Sequence, residues 1–420
     1  MNLTLTYAFV VAVLASTAMR LWLDARQVKH VASHRDVVPH AFADTIALDA
    51  HHKAADYTIA KVKLHTLSTI VGAAVLIGWT LLGGLNALNE VVRDAVQPAW
   101  GNLVYQLALL AAVTVIGSLI DLPEQLYTTF RLEQRFGFNR TTFALWLTDA
   151  LKGAVVGTLI GLPLAALILT LMRETGALWW FYAWGAMMAF QVVMLVLYPT
   201  VIAPWFNHFT PMTDATLRER VQALMARCGF RAKGLYVMDG SRRSAHGNAY
   251  FTGLGASKRV VFFDTLLQRL THGEVEAVLA HELGHFHHKH VVRRVAIMAA
   301  IMFAAFALLG WLSTQPWFYV GLGVVPNAMA PNDALALMLF MFVVPPFMFF
   351  IAPVFSWMSR RDEFQADAYA RRQASGHALS SALLKLYEDN AGTLTPDPLY
   401  VAFYASHPPA SQRLAALGAA

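Results

Sequence analysis

Residues 281–312 read HELGHFHHKHVVRRVAIMAAIMFAAFALLGWL. Two halves of opposite character meet inside this stretch. In the first, His281 and His285 stand at i and i+4. On a helix their imidazoles project from one face about one turn apart, close enough to share a metal ion. Glu282 points to the side, placed to take a proton from a water that the metal activates. The second half, from Arg294 onward, is apolar enough for a membrane span, which needs about 20 such residues. A metal-binding helix therefore runs directly into a bilayer.

The rest of the chain agrees with the membrane half. Of its 420 residues 57% are hydrophobic and only 14% charged, against roughly 25% charged in an ordinary soluble domain. Spans are expected near 4–23, 66–88, 103–121, 153–172, 178–203, 294–313 and 334–357. Pro199, Pro204, Pro345, Pro346 and Pro353 predict kinks in the fifth and seventh. The single cysteine, Cys228, rules out an internal disulfide and a Cys-rich metal site. In the first 25 residues Arg20 follows the apolar run and nothing basic precedes it, the order of an uncleaved anchor.

Charge placement predicts the orientation. Of 32 Lys and Arg, seven lie in 20–65, four in 131–152, thirteen in 206–294 and six in 358–420. Arg93 and Arg173 alone fall in the alternate loops. By the positive-inside rule the N-terminus lies outside and the C-terminus in the cytoplasm, which is the inner-membrane face if the source is bacterial. The net charge of +6 is thus membrane topology, and nucleic acid is not expected as a partner.

This reading divides the chain into 1–205 with five spans, a cytoplasmic catalytic region 206–293, spans six and seven in 294–357, and a cytoplasmic helical region 358–420. Within the catalytic region 234–238, 248–254 and 259–263 read as short strands, and 273–290 as a helix. The fold expected is an all-α polytopic membrane protein of seven transmembrane helices with a cytoplasmic α+β domain.

A catalytic zinc needs a third protein ligand and an open fourth position. Span seven returns to the cytoplasmic face near 357 and delivers Glu363 and Asp367, spaced i, i+4, beside the motif helix. Glu363 is the expected ligand, and Asp367 the carboxylate that orients a ligand histidine. His287, His288 and His290 read as a wet interfacial helix end and not as further ligands. Asn248, Ala249 and Tyr250 could form an edge strand that pairs with an extended peptide. Either His407 or Arg413 could stabilise the oxyanion of a tetrahedral intermediate.

The set HELGH, EFQAD at Glu363–Asp367, NAYFTG from Asn248 and HPPASQR at His407–Arg413 resembles the type 1 CAAX prenyl protease family. Leu122-Pro123, Leu126-Tyr127 and the run Arg135–Thr142 match that family's membrane half, so the likeness spans nearly the whole chain. The resemblance implies seven helices around a water-filled chamber and one Zn2+ on His281, His285 and Glu363. It also implies Glu282 as base, with Asp367, His407, Arg413 and Asn248 as supporting residues, and a zincin-like catalytic domain.

The reaction expected is zinc-assisted peptide hydrolysis at the cytoplasmic membrane face, with Glu282 moving the proton. The partners are the lipid bilayer and a peptide or protein substrate, prenylated if the resemblance extends to specificity. Two alternatives carry their own signatures. A membrane quality-control protease would use the same chemistry on unmodified substrates. A transporter or scaffold with a structural zinc would lack the base or the third ligand, and here both are present. An intramembrane-cleaving enzyme would place HExxH inside a span, whereas this motif precedes one.

Overall fold

A computed structural model describes residues 3–232, 234–252 and 259–418. Among these residues seven helices are long and apolar enough to cross a membrane. They are Thr4–Ser33, Leu48–Trp79, Gly84–Glu133, Phe143–Glu174, Gly176–Phe206, His290–Leu312 and Asp333–Gln373, spans one to seven below. Five contain the expected apolar stretch whole, and the sixth stops one residue short. The second differs. The chain leaves the helix at Thr80 and turns through Gly83, whose φ of 77° suits glycine, so the apolar run 66–88 covers a helix end, a turn and a helix start. Continuous hydropathy hid that turn.

At the prolines the helical hydrogen-bond pattern changes type. Pro199 and Pro204 sit in a wide turn, Tyr198–Ile202, and a short helix, Ala203–Phe206, that close span five. In span seven a tight turn at Phe349–Ile351 joins Asp333–Met348 to the return helix Ala352–Gln373.

Consecutive spans pack on one another from one to seven, and seven packs back on one, so they form a closed ring. At one end the ring is filled. Phe9 of span one, Tyr105 and Leu109 of span three, Leu169 of span four, Trp179 of span five and Leu335 of span seven join one apolar cluster there. At the other end lies a second cluster built from the sheet and the motif helix. Between them the spans are sparsely buried: in span six only His290 and Leu309, near its two ends, are buried. Side chains in these middle stretches are therefore largely exposed.

The sheet has four strands, β1 (Phe209–Pro211), β2 (Gly234–Met238), β3 (Ala249–Thr252) and β4 (Arg259–Phe263), in the order β1-β2-β4-β3. β2 and β4 are parallel, and β3 lies antiparallel at the edge with Ala249 opposite Phe262 and Tyr250 opposite Val261. β2 and β4 match the expected strands; β1 was not foreseen. Of the expected strand 248–254, Gly253 and Leu254 lie outside the described residues.

The motif helix, His272–His287, stops short of the expected 290. Lys289 turns left-handed at φ 56°, and His290 begins span six. The two halves of the protein are joined by Arg243. Its guanidinium holds Asp149 at 2.8 and 3.0 Å, while its carbonyl accepts from the Arg140 backbone and the Thr141 hydroxyl. The loop Arg135–Thr142 is thereby sewn to the catalytic region.

Candidate active site

Packing of two helices creates the site. The motif helix crosses the return helix at Gly284, where an added Cβ would sit 2.9 Å from the Ala366 Cα. No larger residue permits that approach, and it brings Glu363 and Asp367 against His281 and His285. A capping box at Thr271 and Glu274 starts the motif helix. The same Glu274 carboxylate reaches the helix Gly376–Asp389, accepting from Ser381 at 2.6 Å and Lys385 at 2.8 Å.

At the crossing, His281 Nε2 lies 3.3 Å from His285 Nε2 and 3.4 Å from Glu363 Oε2, and His285 Nε2 lies 3.3 Å from Glu363 Oε1. Zinc bonded to N and O at about 2.0–2.1 Å in a tetrahedron separates its ligand atoms by about 3.3 Å. Glu363 Oε2 is buried without a hydrogen-bond partner, the Arg413 guanidinium standing off at 3.7 Å, an arrangement that a directly bound cation would satisfy better. Two imidazoles and one carboxylate also form a donor set of catalytic zinc sites. These three side chains therefore fit a metal ion.

Behind His281 the second layer is ionic. Its Nδ1 is 2.7 Å from Asp367 Oδ1, and Arg413 holds the same carboxylate through Nε at 2.8 Å and Nη2 at 2.6 Å. Arg413 is only 5% exposed. Burial alone would lower the His281 pKa, but the bonds to Asp367 and Glu363 outweigh it and raise it to about 9. The centre of the cluster thus favours positive charge. Burial raises the Glu282 carboxyl, against a downward pull from His281 and His285, as suits a base working near neutrality.

A cavity of about 120 Å³ opens beside the cluster. Asn248, His281, Glu282, Glu363, His407 and Arg413 supply its polar wall, and Ala249, Leu266, Val278 and Leu383 its apolar one. Asn248 is exposed at the start of the edge strand, its own Oδ1 occupied by the Ala249 N–H at 2.8 Å. Tyr250 follows on the same edge. His407, with a side chain 62% exposed, brings Nε2 to 3.6 Å from Glu363 Oε1. Glu282, His281, His285, Glu363, Asp367, Asn248, Ala249, His407 and Arg413 are thus drawn into one place.

The trailing histidines divide. His287 and His288 are exposed as expected. His290 is not: it is 1% exposed, with Nδ1 3.0 Å from His285 Nδ1. The sequence reading missed it because the chain break at Lys289 carries no glycine or proline to announce it. Its signal was a further histidine five residues beyond the motif.

Known proteins resemble this chain along nearly its whole length. Residues 27–208 match the family model described as CAAX prenyl protease N-terminal, five membrane helices, and residues 211–420 match peptidase family M48. The chain belongs to peptidase family M48. Among its M48 relatives, the CAAX prenyl protease 1 homolog of Oryza sativa subsp. japonica is 33% identical, covering 94% of this chain and 93% of that protein. CAAX prenyl protease 1 of Saccharomyces cerevisiae is 32% identical over 96% and 93%. The crystal structure of S. mikatae Ste24p superposes with a TM-score of 0.91 at 31% identity, covering 98% of both chains. This M48 chain is therefore a multi-span membrane metalloprotease acting on peptide or protein substrates, and the transporter or scaffold reading is set aside.

Proposed function

We propose that the bound metal is one Zn2+ per chain, held by His281, His285 and Glu363, and that the enzyme trims C-terminal peptides of the CAAX type from prenylated substrates. The carrying observation is the triangle of ligand atoms 3.3–3.4 Å apart, backed by Asp367. The names of the relatives support the substrate class, and the apolar wall of the small cavity suits the aliphatic side chains such tails contain.

A zinc held by His281, His285 and Glu363 would supply Lewis acidity toward the scissile carbonyl and the attacking water. Glu282 takes the proton from that water and returns it to the leaving amine. His407 reaches across the cavity from the open side and donates from Nε2 to the carbonyl oxygen as charge builds there. Arg413 has another task in this reading: it pins Asp367, and Asp367 pins the His281 ring. The edge at Asn248, Ala249 and Tyr250 pairs with the extended peptide.

The positive-inside charge pattern supports a site in the cytoplasm and an N-terminus outside. With that orientation, 1–205 and 294–357 form the membrane part, while 206–293 and 358–420 form the zincin-like hydrolytic part. Metal analysis of purified wild type and of His281→Ala, His285→Ala and Glu363→Ala tests the ligand set. About one zinc per wild-type chain and strong loss in each variant are expected. Full occupancy in Glu363→Ala would remove that residue from the set.

A further inference from the structure

His290 opens span six and is buried against the site, although the sequence places it among polar residues at a helix end. Its two ring nitrogens face different partners. Nδ1 lies 3.0 Å from His285 Nδ1, and Nε2 lies 2.8 Å from Gln365 Oε1 on the return helix. A carboxamide oxygen only accepts, so His290 carries its proton on Nε2 and leaves Nδ1 bare. That bare Nδ1 takes a hydrogen bond from His285 Nδ1–H. His285 Nε2 is then left with a free lone pair directed at His281 Nε2 and Glu363 Oε1, each 3.3 Å away. In the other tautomer a proton on Nε2 would point into the metal position.

We propose that Gln365 and His290 form a hydrogen-bond relay that fixes the tautomer and ring orientation of His285, making His290 a positioning residue for metal binding. The two ligand histidines are then held by unlike partners. His281 rests on a carboxylate clamped by a guanidinium, whereas His285 rests on an imidazole clamped by a carboxamide. Asp362 does not replace Gln365: its carboxylate is 3.8 Å from His290 Nε2 and is engaged by Arg293 and Arg294. The left-handed turn at Lys289 belongs to this device. It ends the motif helix and starts span six, so that His290 is buried against His285 while His287 and His288 stay exposed, their rings stacked on Tyr369 and His290. A non-glycine residue in that conformation is typical of a functional constraint.

The inference rests on the proposed metal site, and the test keeps the two apart. Full-length protein is stripped of metal in detergent, and its zinc affinity is read by competition with a chromophoric chelator. His290→Phe keeps the ring shape without an acceptor and should weaken zinc binding about 10–100-fold, the usual cost of losing such a partner. His290→Asn restores an acceptor opposite His285 and should recover much of that loss. Gln365→Leu should weaken binding, and Gln365→Glu, which keeps an accepting oxygen, should do so less. His377→Ala, on an exposed face of Gly376–Asp389, should match wild type.

Thermal unfolding of each metal-free variant is recorded alongside. A lowered midpoint with unchanged affinity in the folded fraction would mean a purely structural His290 and would overturn the relay. Should His290→Phe fail to fold, Gln365→Leu decides: wild-type affinity there overturns the proposal. A wild type that binds no zinc, or binds it as well in His281→Ala, overturns the metal site itself and the relay with it.

Discussion

His407 and Arg413 belong to one short segment yet stand in opposite environments, one 62% exposed on the cavity side and the other buried behind His281. Their variants should therefore fail differently. His407→Ala removes a donor that acts as charge develops, so kcat and kcat/KM should fall together, by about 3–4 kcal/mol of transition-state stabilisation. Its zinc content and melting temperature should stay near wild type. Arg413→Ala leaves the buried Asp367 carboxylate with His281 as its remaining partner, and losing the guanidinium from such a buried pair costs up to about 3–5 kcal/mol. It should melt lower and bind zinc less tightly. Kinetics, metal content and melting on the same preparations separate the two, and unchanged kcat in His407→Ala would return that residue to a structural role. At this scale the motif residues were legible because helix geometry puts i and i+4 side chains on one face. Glu363 needed the topology argument as well. His290 was not legible, since its position depends on one lysine adopting a conformation that lysine rarely takes.

Glu274 shows what an element needs in order to present a site. It caps the motif helix and ties it to Gly376–Asp389 through Ser381 and Lys385. Burial would raise its pKa, but the bonds from Lys385, Ser381 and Thr271 outweigh that and bring it down to about 2. A folded-state pKa below the unfolded value stabilises the fold above the unfolded pKa, here near pH 4.5, and that stability is lost as pH falls toward 2. Lys385 is 35% exposed, so solvent screening limits the contribution to about 1–2 kcal/mol. Melting curves of wild type and Glu274→Gln should differ at pH 7 and converge as the pH drops through this window. A constant difference down to pH 3 would mean the charge plays no part. Element positions were readable from periodicity for β2, β4 and the spans. Their ends were less so: the turn at Thr80–Gly83 sits in unbroken apolar sequence, and the contact between Gly284 and Ala366 is a property of two helices that neither sequence announces alone.

The whole molecule is a ring of helices filled at one end and covered by the hydrolytic region at the other. The span count was legible from hydropathy, because burying twenty apolar residues in a row has few other solutions. Ring closure was not, since it depends on span seven packing against span one. The proposed orientation is open to cysteine labelling in a Cys228→Ser background. Glu219→Cys, exposed in the hydrolytic region, should react only from the cytoplasmic side, and Met329→Cys, 93% exposed in the loop before span seven, only from the other. The reverse pattern would invert the assignment.

The most direct test joins the ring, the site and the substrate. Purified wild type and Glu282→Gln, each with its zinc content measured, are incubated with matched farnesylated and unfarnesylated peptides ending in a CAAX sequence, and products are read by mass spectrometry. Wild type should release the C-terminal tripeptide, preferentially from the farnesylated peptide. Glu282→Gln should retain its zinc and cut at least about 100-fold more slowly, the low end for losing a general base. Equal cleavage of the two peptides would favour a quality-control enzyme with the same chemistry. Near-wild-type cleavage by Glu282→Gln with its zinc in place would contradict the mechanism itself.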